Sequence, residues 1–157
     1  MNTYKKILFL IFIPILLFSC GYNPMYKGLK NLNFILKINN SSGNEKINRL
    51  IATKLKNYSS HDSSENYQKY DIELISKYQK LIVAKDTTGT ATEYKIAIEA
   101  KFKITSGKFE KEFKYIESFN MKSFSDRLEE QDYEKNIQNS LVNIITRKLV
   151  MQLSQIK

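Results

Sequence analysis

The sequence predicts an α+β fold: a two-layer sandwich in which a four-stranded, mostly antiparallel sheet carries two helices on one face, in the order β-α-β-β-β-α. Three observations predict it. Apolar residues alternate with polar ones in four segments, recur at helical spacing in two others, and leave strand faces rich in Lys and Glu. A sheet with one such polar face is covered on the other side only.

The elements follow in chain order. Leu32, Phe34, Leu36 and Ile38 alternate with Asn33, Lys37 and Asn39, a period-two strand. Asn39-Asn40-Ser41-Ser42-Gly43-Asn44 then reads as a turn cluster that supplies helix N-caps. Ile47, Leu50, Ile51, Leu55 and Tyr58 fall on one face of a helix, with Lys46, Arg49, Thr53 and Lys56 mostly off it. The polar run Ser59-Ser60-His61-Asp62-Ser63-Ser64 is a loop. Tyr70 to Lys85 is β-rich, and Thr87-Thr88-Gly89-Thr90 turns it. Ile96, Ile98, Ala100, Phe102 and Ile104 form the cleanest alternating strand, and Ser106-Gly107 turns that one back. Phe109, Phe113, Tyr115 and Phe119 share parity in the next strand, with Lys111 and Glu117 as exceptions. A long last helix follows. Asp126 and Glu129 have capping-box spacing, and Ile137, Leu141, Ile144, Ile145, Leu149 and Ile156 form its stripe, widened by Val142 and Leu153. Ile98, Phe102 and Ile104 are expected to share one core with Leu141, Ile145 and Leu149.

The first residues differ from the rest. Lys5 and Lys6 precede an apolar run over residues 7–18 that carries Pro14 in its middle. A membrane-spanning helix needs roughly 20 apolar residues, and proline breaks helices. A secretory signal over residues 1–19 is the better reading. It ends at Leu17-Phe18-Ser19-Cys20-Gly21. Bacterial lipoprotein signals resemble this, with Leu at the third position before the cysteine and a small residue just before it. Phe18 departs from the pattern, since a small residue is usual there. Cys20 is thus the expected lipidation site: its sulfur takes the diacylglycerol, and its freed amino group can take a further acyl chain such as palmitate. Two or more chains anchor stably where one binds marginally. Residues 20–30, with Gly21, Pro24 and Gly28, read as a tether, and 31–157 as the folded domain. With one cysteine in the chain, an intramolecular disulfide is excluded, and a mature chain of about 140 residues is stabilised by its core.

The formal charge of +9 invites nucleic acid as a partner; export argues against it and favours anionic lipid. Nearly all the positive charge is lysine, and the Lys, Asn and Ile excess equally fits an AT-rich coding bias. Catalytic signatures are missing. His61 is the single histidine, and a zinc site needs several nitrogen or sulfur ligands. Ser60, His61 and Asp62 are adjacent in a loop and cannot converge as a triad. The five glycines are scattered, so no phosphate loop forms. Glu129, Glu130, Asp132 and Glu134 crowd the start of the last helix, where they suit its dipole. We expect no enzyme and no cofactor.

The stretch Cys20-Gly21-Tyr22-Asn23-Pro24-Met25-Tyr26 resembles the mature start of the LptE family of lipopolysaccharide-assembly lipoproteins, the alphaproteobacterial type in particular. The order of elements and the long final helix resemble that family's two-layer domain. The resemblance implies a lipid-anchored protein on the periplasmic face of the outer membrane. It would act as plug and assembly partner of a β-barrel lipopolysaccharide translocon of the LptD type, with lipopolysaccharide itself a possible ligand. On this reading Lys80, Lys85 and Lys95, near a hairpin tip, are the candidate phosphate contacts, since lysines meet phosphate as point charges. The alternatives are a free-standing periplasmic lipoprotein binding a hydrophobic or anionic ligand, or a secretin-pilot-type lipoprotein.

Overall fold

A computed structural model describes residues 34–59 and 67–156. The signal segment, Cys20, the tether, His61 and Lys157 lie outside them. The described elements are β1 (Phe34–Gly43), α1 (Glu45–Lys56), β2 (Gln68–Lys85), β3 (Ala91–Ser106), β4 (Phe109–Lys122) and α2 (Arg127–Ser154). They give the expected α+β order, β-α-β-β-β-α, with the sheet ordered β1-β2-β3-β4. β1 runs parallel to β2, and the other two pairings are antiparallel. A parallel neighbour requires a crossover, and α1 lies in that connection.

The alternation decides which face is covered. Tyr70, Ile72 and Leu74 of β2 and Ile96, Ile98, Ala100, Phe102 and Ile104 of β3 are all at most 1% exposed. They form one core with Ile47, Ile51 and Leu55 of α1 and Ile137, Leu141, Ile145 and Leu149 of α2. Rings add specificity: Phe34 meets Tyr70 edge-on at 5.7 Å between centroids. Two further α2 positions, Thr146 and Val150, are fully buried. Thr146 satisfies its hydroxyl on the Val142 carbonyl one turn back.

The Asn39–Asn44 cluster is not the turn its composition suggests. β1 continues to Gly43, pairing Asn40 to Gly43 with Glu73 to Ser76 beyond a bulge at Ile38/Asn40. Pairing with a long neighbouring strand overrides weak strand propensity. Asn44 does cap α1, its side chain accepting from the Ile47 amide at 3.0 Å. Gly43 is obligatory for the passage. Its φ is +92°, and a Cβ there would lie 1.9 Å from the Ser76 carbonyl oxygen.

Asp126 caps α2 by accepting from the amides of Leu128 and Glu129. It is Glu130, at 3.2 Å, that takes the Phe124 amide just upstream. The two parity exceptions on β4 now have a location. Lys111 and Glu117 point to the helix side of an edge strand, where inward charges discourage pairing with another sheet. Glu117 is bonded to Lys148 of α2.

Candidate functional site

The end of the sheet carrying the β2–β3 turn differs from the rest. β1 pairs with β2 only as far as Ser76, so among the described residues β2 is an open edge from Lys77 to the turn. Leu81, Ile82 and Val83, three successive aliphatic side chains, are 50%, 54% and 51% exposed. Val83 falls at a register shift between Ile82 and Ala84, and such a bulge re-aims the side chains around it. The turn beyond is rigidly built. Asp86 accepts from the amides of Thr88 and Thr90, both at 2.9 Å, and Gly89 adopts φ +85°. These bonds hold the Asp86 carboxyl below its ordinary pKa, the Thr88 hydroxyl contributing most.

The three lysines singled out from sequence all lie on this hairpin but not on one face. Lys80 pairs with Ile96 on the helix side; Lys95 pairs with Leu81 on the uncovered side. Lys85 ends β2 and is exposed. Lys85 and Lys95 are thus open to solvent, whereas Lys80 is held. Its ammonium meets Glu130 at 2.8 Å and Glu134 at 2.9 Å, and lies 4.3 Å from the Tyr94 ring centroid. Tyr78 donates to the other oxygen of Glu134, which also accepts from Gln138 at 3.1 Å.

Electrostatics follow this geometry. Burial alone would lower the Lys80 pKa, but its two hydrogen-bonded carboxylates outweigh burial and hold it above the ordinary lysine range. Burial would raise Glu134, yet the bonds from Tyr78 and Lys80 keep it below its usual value. Lys80 is the main cause that keeps Glu130 low. Burial, followed by the bond to Glu134, pushes the Tyr78 phenol up to about 12. The acids at the start of α2 therefore do more than face the helix dipole: two of them clamp the hairpin to α2. A signal for this exists in the sequence. Lys80 has the parity of the buried β2 residues, and Glu130, Glu134 and Gln138 recur every fourth residue, which places them on one stripe.

The uncovered sheet face is a ladder of charge. Glu99 meets Lys114 at 3.3 Å and Lys101 at 3.9 Å, and Lys103 meets Glu110 at 3.1 Å. A shallow depression of about 520 Å³ there is lined by Ile75, Lys101, Lys103 and Glu112 among others. A second groove of about 370 Å³ runs between β1 and α1 over Leu36, Ile38, Ala52 and Leu55. Among the described residues no group of His, Cys, Asp and Glu could hold a metal ion, and no helix is long and apolar enough to cross a membrane.

No protein-family profile matches the chain, and no curated protein matches it in sequence. Solved structures do match. Rare lipoprotein B from Shewanella oneidensis aligns with a TM-score of 0.55 at 14% identity, over 76% of this chain and 92% of that one. Lipoprotein B from Nitrosomonas europaea gives 0.52 at 10% identity, over 80% and 86%. A minor lipoprotein from Acinetobacter baumannii gives 0.51 at 13%, over 75% and 91%. At such identities the likeness speaks to architecture, and the two-layer domain described here has the fold of these bacterial lipoproteins.

Proposed function

We propose that this chain is an exported lipoprotein, anchored through Cys20 on the periplasmic face of the outer membrane. There it serves as plug and assembly partner of a β-barrel translocon that delivers lipopolysaccharide to the cell surface. One conjunction carries the reading. A lipoprotein-type signal ending at Leu17-Phe18-Ser19-Cys20 precedes a domain with the fold of known lipoproteins. The LptE-like start Cys20-Gly21-Tyr22-Asn23-Pro24-Met25-Tyr26 narrows the family.

The surface suits the role. A barrel lumen is polar, and the uncovered face of this sheet presents rows of Lys and Glu rather than a second apolar layer. Enclosure in a lumen would exceed a standard interface of roughly 1,600 Å². The role needs no bond-making chemistry. Within it, Lys85 and Lys95 are the exposed candidates for lipopolysaccharide phosphate, and Lys80 contributes by holding the hairpin in place.

The test is co-purification from outer membranes. The tagged wild-type chain should bring down a large β-barrel protein, and so should a Cys20→Ser form co-expressed with the barrel. Failure of the wild type would end the assembly reading. It would favour a free-standing lipoprotein, for which the apolar groove between β1 and α1 is the available ligand site. Lys85→Ala with Lys95→Ala should weaken lipopolysaccharide binding while leaving barrel capture intact.

A further inference from the structure

β1 lies beside β2 as far as Ser76, where Gly43, at φ +92°, turns the chain out toward α1. Beyond that point no described strand flanks β2 on this side. We infer that residues 77–82 of β2 take an added strand there, an extended segment that the barrel protein places in its lumen, aligned with β1. The inference rests on the barrel-partner reading and names the contact within it.

The backbone supplies the template. The Ser76 carbonyl accepts from the Asn44 amide at 3.0 Å, on the β1 side. Polar groups of successive strand residues turn to opposite neighbours. The N–H and C=O of Tyr78, Lys80 and Ile82 therefore face the open side, and those of Lys77, Gln79 and Leu81 face β3. The register to β3 runs unbroken through Ile82 and shifts only beyond it, so the bulge at Val83 ends the template. The template is also held in place before anything binds, because the side chains of Tyr78 and Lys80 are tied to Glu134 and Glu130 of α2.

The side chains fit the same occupant. Leu81 lies opposite Lys95 on the uncovered face and Ile82 opposite Tyr94 on the helix face, yet they are 50% and 54% exposed. A partner resting on one face would cover only one of them. A strand added at the edge flanks both, since its own side chains alternate between the faces. The opposite edge of the sheet is unlike this one. β4 has charges at Glu110, Lys111, Glu112, Lys114 and Glu117, which blunt an edge, whereas Leu81 to Ala84 has none.

Size and charge select the barrel segment over other occupants. An edge about 20 Å long and about 10 Å thick buries about 400 Å² in total, well below the roughly 1,200 Å² of a stable free-standing interface. Such a contact suffices where enclosure already holds the partner close. A second copy of this chain, paired about Leu81, would set Lys77 against the other copy's Lys85, and like charges directly opposite destabilise. Residues 20–33 reach at most about 50 Å and would use most of it doubling back past β1, because Phe34 pairs with Gln68 about 30 Å from Lys77. Lys77 faces Glu99 on β3, which already serves Lys101 and Lys114. The added strand is therefore expected to be aliphatic at its centre, with a carboxylate opposite Lys77.

Photo-crosslinking tests this in the tagged full-length protein co-expressed with its barrel. A benzoylphenylalanine replaces Leu81 or, separately, Ile82. Mass spectrometry should find one and the same barrel segment captured from both faces. Adducts to different barrel segments overturn the inference, as do adducts to a second copy or to residues 20–33. Co-purified barrel with no adduct at either position overturns it and leaves the plug reading intact, whereas loss of the barrel from the wild-type sample defeats both. Proline reads the hydrogen bonds. Ile82→Pro removes an amide that faces the open side and spares the β3 ladder, so its urea midpoint should stay near wild type while barrel capture falls about ten-fold or more. Unchanged capture by folded Ile82→Pro overturns the added strand. Amide exchange of the wild type needs no variant. On barrel binding the amides of Tyr78, Lys80 and Ile82 should slow about ten-fold or more, and those of Gln79 and Leu81 should change little. Equal slowing of both sets, or of neither, overturns the inference.

Discussion

Replacing Lys80 by Met tests whether the hairpin is clamped to α2 by charge. Removing one partner of a buried ion pair costs about 3–5 kcal/mol, because it strands the other charge. Here the lysine side chain is 26% exposed and the glutamates 18% and 19%, so water screens part of the loss. Glu134 also keeps Tyr78 and Gln138, and Glu130 keeps the Phe124 amide. Lys80→Met should therefore cost about 2–3 kcal/mol at neutral pH, a shift of about 1–2 M in a urea midpoint. Adding Glu130→Gln and Glu134→Gln should recover at least half of this, since no charge is then stranded.

The pH dependence has a definite sign. Both glutamates have folded pKa values below their ordinary ones. Their contribution is present above the unfolded carboxylate pKa, near 4.3, and is lost as pH falls through the lower folded values. The gap between wild type and Lys80→Met should close over that acidic range. A midpoint shift below about 0.3 M at pH 7 would refute the clamp, as would a gap that stays constant down to the lowest pH at which the wild type folds. The same substitution bears on ligand tests. Changing Lys80 together with Lys85 and Lys95 would mix lost stability with lost binding, which is why the exposed pair is the cleaner variant.

Phe102 is 1% exposed and faces Phe113 across the β3–β4 ladder, so Phe102→Ala should cost about 3–5 kcal/mol in a denaturant titration. Gly43→Ala should be worse than its single methyl suggests, about 3 kcal/mol or more, because both the positive φ and the Ser76 carbonyl oppose a Cβ; a circular-dichroism melt would show it. Mass spectrometry of the mature wild type should find acylated Cys20 at the N-terminus, and Cys20→Ser should accumulate as an unlipidated form; a mature chain that starts elsewhere would remove the anchor.

The sequence determined the class and order of this fold because each element's pattern is local. Period-two alternation over Ile96 to Ile104 and the stripe from Ile137 to Leu149 each name a buried face without reference to anything distant. The glycines at 89 and 107 mark both hairpin turns for the same reason, since a positive φ is a property of one residue. Tertiary structure decided what depends on partners. Residues 39–43 are strand because β2 lies beside them, and their own composition opposes it. Glu130 and Glu134 serve Lys80 because a helix 50 residues downstream is laid over β2, a separation that no local pattern spans. The split of Lys80 and Lys95 onto opposite faces was implicit in their parity, but which face was covered was settled only when both helices packed on one side. The exposure of Leu81, Ile82 and Val83 is likewise a tertiary outcome: their aliphatic pattern is local, while the open edge they lie on exists only because β1 pairs with β2 no further than Ser76.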